Sequence, residues 1–352
     1  MFKNKFSDRY DVPILFSLFL LNLLTVIYFP YYIYHNGIVW QEPIIFIVGW
    51  MCAGMGITVG YHRYFSHKTF RTYSIVEWIL MFCGTMGLQN KIINWCSDHR
   101  RHHKKLDTLD DPYSITEGFF HAHIGWIFKK GDGKTKGISD LTKKSAVNFQ
   151  TKYYWPLAMV LCFVVPFLIG LTFGRPLGGL LWGGIVRVVA VHHFTFFINS
   201  FCHYIGDRKY DINTTARDSW YMAFFTFGEG YHNYHHKFQW DYRNGIKWYN
   251  FDPSKWIIKF LSYFKITYNL RRVSNSEIFR ARIETINERI SALSESAYFD
   301  KFLNKKIIKI TNKAFRNIES WQVVEEKYNK LKDVGKKIFL ILTQRIGFFF
   351  YK

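Results

Sequence analysis

The chain is short of cysteine and of acidic residues, and both shortages restrict its chemistry. Its five cysteines form no CxxC pair, which excludes a disulfide framework and a thiolate-bound iron site and is typical of a reducing compartment. Neither an HPGG haem-binding module nor a GxGxxG fingerprint for a flavin or nicotinamide occurs. If the protein uses electrons, we expect them to come from a separate donor.

Basic residues are in large excess, with 47 Lys and Arg against 26 Asp and Glu and a formal net charge of +21. Nucleic acid is one partner of matching charge. Most of the basic residues, however, lie beside apolar segments or in the C-terminal tail, where anionic lipid headgroups attract them. We therefore expect membrane lipids and an anionic substrate as partners, and no nucleic acid.

Long apolar runs accompany this charge, since 49% of the residues are hydrophobic and 20% aromatic. Four segments have about the 17–25 residues needed to cross a bilayer, at residues 12–34, 44–61, 153–174 and 179–203. The turns within the two pairs carry almost no Lys or Arg, which predicts both termini in the cytoplasm. The first segment is too long for a removable signal and lacks a cleavage site. We predict an all-α, multi-pass integral membrane protein with four transmembrane helices in two hairpins.

Eight of the 14 histidines fall into three groups, HRYFSH, HRRHH and HNYHH. They are His62 and His67; His99, His102 and His103; and His232, His235 and His236. Residues three or four apart share a helical face, so each HxxHH group should direct three imidazoles at one place. Imidazole is the commonest metal ligand and suits iron, copper, nickel and zinc. Eight ligands exceed the needs of one ion, so the pattern predicts two.

His62 and His67 have a different spacing from the other two groups. Five residues on a regular α-helix correspond to a divergence of about 140°. We therefore expect either that these two histidines serve different ions or that the helix ends between them.

The motifs HRYFSH, DHRRHHKKLDTLDDPY and GEGYHNYHH, in this order around two apolar hairpins, resemble those of the membrane-bound fatty acyl desaturases, especially the stearoyl-CoA (delta-9) group of animals, fungi and bacteria. The resemblance implies a desaturase domain over residues 1–271, with a cytoplasmic helical cap at 62–152 and 204–271. Residues 272–352 lie outside it. An apolar stripe predicts an amphipathic helical extension there, with Phe279, Ile283, Ile286, Ile290 and Leu293 on one face.

The resemblance also implies a di-iron site with nine imidazole ligands and no bridging carboxylate. In the family motif NSxxH, which matches residues 199–203, the histidine is the ninth ligand and the asparagine holds a metal-bound water. These roles fall to His203 and Asn199, which are four residues apart and so share a helical face. Asp98 and Glu229 are expected to accept imidazole N–H groups.

In this family the reaction uses O₂, two electrons and two protons to remove two hydrogens from an acyl chain. The product has a cis double bond. A tunnel must place one C–C bond beside the metal. The glutamine, tryptophan and threonine that kink the tunnel in relatives match Gln89, Trp95 and Thr195, which favours the delta-9 position. Trp50 and Gly54 fall where relatives limit the chain length, and a bulky Trp50 would shorten the preferred chain.

The acyl carrier and the electron donor are less directly indicated. Animal enzymes use an arginine for coenzyme A where this chain has Ser97, so Asn90, Lys129 and Lys130 are the candidate contacts. We expect acyl-CoA as substrate, with an acyl lipid as the alternative. A cytochrome b5-like protein or ferredoxin, with its reductase, is the expected donor, and a bacterial inner membrane the expected location. A membrane di-iron fatty acid or alkane hydroxylase is the rival enzyme, and a metal-storage or transport protein the rival outside catalysis.

Overall fold

A computed structural model describes residues 9–130 and 135–294, together with residues 309, 313, 316–320 and 322. These residues belong to two compact units, which divide the chain close to the predicted boundary at residue 271. The first consists of residues 1–208 and 213–272, and the second of residues 209–212 and 273–352. Every candidate site residue lies in the first unit.

Helices make up most of the described chain. In chain order the main ones are α1 (Val12–Asn36), α2 (Gln41–Ser66), α3 (Ser74–Thr85), α4 (Ile92–Lys105), α5 (Ser145–Leu171), α6 (Pro176–His203), α7 (Trp220–Phe225), α8 (His232–Lys237), α9 (Pro253–Tyr263) and α10 (Asn275–Ser294). Single-turn helices between α4 and α5 occur at Ile115–Glu117, His121–Gly125 and Trp126–Phe128. Strands β1 (Arg71–Thr72) and β2 (Thr267–Tyr268) form an antiparallel pair.

Four of these helices, α1, α2, α5 and α6, are long and apolar enough to cross a membrane. Helix α1 begins after Asp11, whose carboxylate accepts the N–H of Ile14 at 3.3 Å, and Pro13 lies in its first turn. It ends at Asn36, and the following Gly37 has a positive φ of 65°, which glycine adopts without steric cost. The four predicted apolar segments are therefore confirmed as helices.

The helix ends differ from the predicted ones. Helix α2 runs from 41 to 66 rather than from 44 to 61, since it includes Glu42, which has a cationic partner. Helix α5 begins at 145 rather than 153, and the predicted start falls where Tyr153 (φ −113°, ψ 21°) kinks the helix. Helix α6 begins at 176 rather than 179, with Pro176 as its first residue.

Two separate helices make up the segment that precedes HRRHH. Helix α3 ends at Thr85 and α4 begins at Ile92. Residues 86–91 form a turn in which Leu88 (φ 51°) and Asn90 (φ 78°) have left-handed backbone. Asp98 lies midway along α4.

The core that supports the histidines packs α2, α3, α4 and α5 together. Its fully buried members include Tyr61, Phe65, Met81 and Ile92. A Cβ on Gly56 would collide with the backbone of the neighbouring helix at residue 84, so α2 and α3 approach this closely only because glycine is there.

Helix α10 lies at the start of the tail, and the burial of the predicted apolar stripe varies along it. Ile283 is buried, whereas Phe279 and Ile286 are about half exposed, at 51% and 50%. The buried side chains here include Ile278 and Ala281 instead. The side chains of Ile290 and Leu293, and most of the tail after residue 294, lie outside the described residues.

The turns that follow α1 and α5 meet at one end of the first unit. Glu42 is fully buried, and its Oε1 lies 3.2 Å from Nε of Arg175 and accepts the hydroxyl of Tyr32 at 3.0 Å. Arg175 also donates to the carbonyls of Asn36 and Gly37 at 2.9 Å each. This ion pair joins the α1–α2 connection to the α5–α6 connection.

We expect Glu42→Ala to destabilise the protein by about 2 kcal/mol. Breaking a fully buried pair costs about 3–5 kcal/mol, and Arg175 keeps part of its hydration. Thermal unfolding of the purified protein in detergent measures the loss. Glu117→Ala, which breaks a more exposed pair with Lys129, is the matched control and should cost less than about 1 kcal/mol. Equal effects of the two changes would contradict a structural role for the Glu42 pair.

Candidate metal centre

All nine predicted histidines converge where α2 and α6 end, against α4 and α8. Their ring nitrogens form two groups, and within each group the ligand atoms lie within 4.8 Å of one another. The first group is His62, His67, His99, His103 and His235, and the second is His102, His203, His232 and His236. His103 and His236 are half-buried and the rest are buried.

The Nε2 atoms have the spacing of ligands that share an ion. In the first group, Nε2 of His235 lies 3.0 Å from Nε2 of both His62 and His103. In the second, Nε2 of His236 lies 3.0 Å from that of His232. Imidazole nitrogen binds a metal such as zinc at about 2.1 Å, so two ligands at right angles are about 3.0 Å apart. The donor set therefore fits two metal ions.

His62 and His67 belong to one group, and the helix that carries His62 ends at Ser66, between the two histidines, which is the second of the two expected alternatives. The C-terminal part of α2, Gly56–Ser66, is a π-helix, and the N–H of His67 donates to the carbonyl of His62 at 3.0 Å. That is the i→i+5 hydrogen bond of a π-helix. The wider turn brings together two side chains that a regular α-helix would direct apart.

Each HxxHH motif divides between the two groups, which corrects the expectation of three imidazoles at one place. On α4, His99 and His103 face the first group while His102 faces the second. His99 and His103, four residues apart, differ in direction by about 40° around the helix, whereas the adjacent His102 and His103 differ by about 100°. On α8 the assignment is reversed: His232 and His236 belong to the second group, and His235 belongs to the first.

Four of the Nδ1 atoms, those of His62, His99, His102 and His203, lie beside carboxylates or hydroxyls on the outside of the site. Nδ1 of His102 lies 2.8 Å from Oδ1 of the buried Asp111. Nδ1 of His62 lies 2.9 Å from Oε2 of Glu229, as predicted for that carboxylate. A carboxylate holds the ring proton on Nδ1 and leaves the Nε2 lone pair facing the centre, which is the usual arrangement around metal-binding histidines.

Two further Nδ1 contacts were not anticipated from the sequence. The hydroxyl of Tyr113 lies 3.3 Å from Nδ1 of His99, and Oγ1 of Thr215 lies 2.7 Å from Nδ1 of His203. Thr215 in turn donates to Asp107 at 2.6 Å. Nothing in the local sequence around Thr215 marks it, because its partner is 12 residues away through a loop.

Arg63 is a further residue that sequence analysis missed. It is 1% exposed and binds Glu229 at 3.0 Å and Asp252 at 2.9 Å. Although burial raises the pKa of Glu229, the adjacent His62 and Arg63 lower it to about 2. The carboxylate therefore stays ionised beside His62. The available signal was a single arginine directly after His62 at the end of an apolar segment.

Burial lowers the pKa of the site histidines that lie outside the spanning helices, and neighbouring imidazoles lower it further. These residues are His67, His99, His102, His103, His232, His235 and His236. They are neutral near pH 7, which is the form that binds metal. Burial raises the pKa of Asp111 to about 7, against the lowering by backbone N–H groups.

The remaining polar candidates lie at different depths. Asp98 pairs with Arg101 at 2.9 Å, and its side chain is 38% exposed. Asn199 is half-buried on α6. The regular helix ends at Ser200 and a 3₁₀ turn carries His203, so the two residues are not on one continuous α-helix as expected.

Gln89, Trp95 and Thr195 meet although they come from three separate parts of the chain. Nε2 of Gln89 donates to Oγ1 of Thr195 at 2.8 Å, and Nε1 of Trp95 donates to Oε1 of Gln89 at 3.3 Å. The Trp95 ring is stacked on His99 with centroids 4.9 Å apart. This triad therefore borders the first histidine group.

Trp50 and Gly54 lie side by side on α2, against Phe227. The Trp50 ring is 4.7 Å from the Phe227 ring and 6.0 Å from Phe194. A Cβ on Gly54 would overlap the Phe227 ring, so this packing requires glycine.

The candidate carrier contacts are dispersed. Lys129 is exposed and pairs with Glu117 at 2.5 Å, and Lys130 is exposed beside it. Asn90 lies in the turn before α4, where its N–H donates to the hydroxyl of Tyr154 at 2.8 Å. The hydroxyl of Ser97 is engaged with the backbone at Lys136.

Comparison with known proteins shows which family the chain resembles. Residues 38–271 match the family model described as fatty acid desaturase. The chain is 38% identical over 242 residues to a probable acyl-CoA desaturase of Schizosaccharomyces pombe, which covers 68% of this chain and 50% of that protein. It is 32% identical over 243 residues to delta-9 acyl-lipid desaturase 1 of Arabidopsis thaliana (68% and 78% covered).

It is also 34% identical over 247 residues to an acyl-CoA Delta(11) desaturase of Trichoplusia ni, with 68% of this chain and 71% of that protein covered. The chain thus spans about half the length of the S. pombe relative and more of the other two. Since the family model matches most of the chain and includes all three histidine motifs, the chain belongs to the fatty acid desaturase family.

Proposed function

We propose that the protein is a fatty acyl desaturase, which inserts a cis double bond at the delta-9 position of a saturated long-chain acyl-CoA with O₂ and two electrons. The observation that carries this proposal is the pair of buried imidazole groups beside the Gln89–Trp95–Thr195 triad. Family membership supports the same class of reaction.

The nine histidines would hold two iron ions, with Asn199 holding a water on one of them. Iron bound there supplies the O₂-dependent oxidation that removes two hydrogens from unactivated methylenes, which amino-acid acids and bases cannot do. Asp111 orients the His102 ring by accepting a hydrogen bond from its Nδ1–H, and the Glu229 carboxylate beside Nδ1 of His62 orients that ring. Trp95, stacked on His99, would form a wall that keeps water from the reacting carbons.

The delta-9 position rests on the triad. Relatives named for delta-9 and for Delta(11) products both match this chain, so similarity alone favours neither position. A hydrogen-bonded Gln89, Trp95 and Thr195 beside the first histidine group would bend an acyl chain at a set distance from its carboxyl end. That is the geometric requirement for oxidising one C–C bond.

Acyl-CoA is the proposed carrier, because the net charge of +21 suits its phosphates. Lys129, Lys130 and Asn90 are the proposed contacts. The names of relatives include acyl-CoA and acyl-lipid desaturases, so the carrier is an outcome of the test below.

Two hairpins that cross a membrane are the proposed arrangement. The Glu42–Arg175 pair joins the two turns at one end, and the histidines gather at the far ends of α2 and α6. The basic segments adjoin the histidine end, which would face the cytoplasm. A soluble or membrane-bound electron donor, cytochrome b5-like or ferredoxin-like, would reach the metal from that side of a bacterial inner membrane.

We expect His103→Ala to lose bound iron and alkene formation together, because one ligand of the first group is removed. The purified protein is assayed with an electron donor on stearoyl-CoA and, separately, on a stearoyl phospholipid in vesicles. Iron is measured by elemental analysis and products by gas chromatography. His35→Ala, at an exposed histidine on α1, is the control and should change neither.

If alkene forms from the stearoyl phospholipid and not from stearoyl-CoA, the acyl carrier is a lipid rather than coenzyme A. Hydroxy acids in place of alkenes would indicate the hydroxylase. Normal iron content and activity in His103→Ala would show that the site is wrongly assigned.

We expect Trp50→Ala to shift product formation towards longer acyl chains. Removing the indole opens space beside Phe227, and each additional buried methylene gains up to about 0.8 kcal/mol, or about fourfold in kcat/KM. Competition between acyl-CoAs of different length measures the shift. Trp40→Ala, at a 71% exposed tryptophan just before α2, is the control. An unchanged chain preference in Trp50→Ala would rule out its role at the tunnel end.

The proposed orientation predicts opposite labelling of two engineered cysteines. Ile38 lies between α1 and α2, Leu109 follows α4, and both are exposed, at 53% and 90%. A membrane-impermeant maleimide should label Ile38→Cys in intact cells and Leu109→Cys only after permeabilisation. The wild-type chain, whose five cysteines are buried or half-buried, gives the background. The reverse pattern would invert the orientation.

A further inference from the structure

The turn at residues 86–91 carries Gln89 and is held by side chains of α5 and α6. The carbonyl of Met86 accepts a hydrogen bond from Nη1 of Arg187. The carbonyls of Gly87 and Leu88 both lie 3.1 Å from Nε2 of His192. Carbonyls only accept, so Nε2 of His192 carries the proton and donates to both.

Helix α5 holds the other side of the same turn. The hydroxyl of Tyr154 accepts the N–H of Asn90, and Oε1 of Gln150 accepts the N–H of Ile92, both at 2.8 Å. Tyr154 is 2% exposed and Gln150 fully buried. The backbone groups on both sides of Gln89 are therefore bound by buried side chains of the third and fourth apolar helices.

The turn needs such support because its backbone is strained. Leu88 and Asn90, the two neighbours of Gln89, have φ of 51° and 78°. Left-handed backbone at residues other than glycine costs free energy and persists only where the surroundings enforce it. Without the bonds to Arg187 and His192, residues 86–90 would relax, and the Gln89 side chain would move with them.

The buried position of Arg187 is unfavourable in free energy. It is fully buried in the middle of α6, and its guanidinium bonds recorded among the described residues go to the carbonyls of Gly183 and Met86 rather than to a carboxylate. A buried cation paired only with neutral acceptors is expensive, and an apolar side chain would pack there at lower cost. Retaining an arginine under these conditions indicates a role that packing alone would not require.

We propose that Arg187 and His192 are positioning residues for regioselectivity, which act by holding the 86–91 turn and with it Gln89 of the triad. This inference rests on the proposed desaturase function. Neither residue needs to touch the acyl chain. An acyl chain advances along a tunnel by roughly 1 Å per carbon, and misplacement of about 1 Å already matters for catalysis, so a small shift of Gln89 would bring a neighbouring C–C bond to the metal.

The test compares double-bond positions in the products of His192→Leu, His192→Gln and His193→Leu. His192→Leu removes the donor to Gly87 and Leu88, whereas His192→Gln retains one. His193 is the matched control on the next residue of α6, since its ring bonds to His123 and Asn22 and not to the turn. Products are analysed by gas chromatography and mass spectrometry of their disulfide adducts.

We expect His192→Leu to form alkene with the minor positional isomers raised about tenfold relative to the wild type, which is about 1.4 kcal/mol in relative barrier. His192→Gln should restore most of the wild-type distribution, and His193→Leu should match it. A merely structural role would lower the total yield and leave the distribution unchanged. Wild-type isomer ratios in a folded His192→Leu would overturn the proposal.

Tyr154→Phe provides a milder second variant, since it deletes only the hydroxyl that accepts the Asn90 N–H. It should shift the same ratio in the same direction by a smaller factor. If His192→Leu does not fold, an unchanged ratio in Tyr154→Phe would overturn the proposal by itself. Every ratio is taken against the wild type, so an unexpected product position in the wild type would revise the proposed function without affecting this comparison.

Discussion

Nine imidazole rings have to be kept out of water and directed at two points, and most of the surrounding structure serves that requirement. A buried polar ring is costly unless its second nitrogen is bonded. Asp111, Glu229, Tyr113 and Thr215 provide those contacts around four of the rings. The π-helical end of α2 serves the same requirement, because its wider turn brings two histidines five residues apart, His62 and His67, into one group.

The buried charged residues beside the histidines each need a partner of opposite charge. Glu229 is buried beside His62 and stays ionised because Arg63 binds it, and Arg63 in turn is shared with Asp252. At the other end of the molecule, Glu42 and Arg175 join the two turns in the same way. Buried charges thus occur at both ends of the apolar helices, each in direct contact with an opposite charge.

Regioselectivity would depend on a different kind of contact. The Gln89–Trp95–Thr195 triad combines a turn, helix α4 and helix α6, so its geometry follows from how these three parts are held together. Arg187 and His192 extend that connection to the backbone of the turn. Chemistry at the metal and choice of the C–C bond would therefore be separable by mutation.

Much of this protein could be predicted from the sequence. The apolar segments and eight of the converging histidines follow from residue types and short spacings, whereas His203 and the Glu229 contact were expected from the resemblance to the desaturases. Local pattern did not suffice where backbone geometry departs from a regular helix. The π-helix at His62–His67, the broken helix before Ile92 and the division of each HxxHH motif depend on packing between distant segments. Arg63, Thr215 and Arg187 acquire their partners only in the folded chain, because those partners lie far from them in sequence or across a loop.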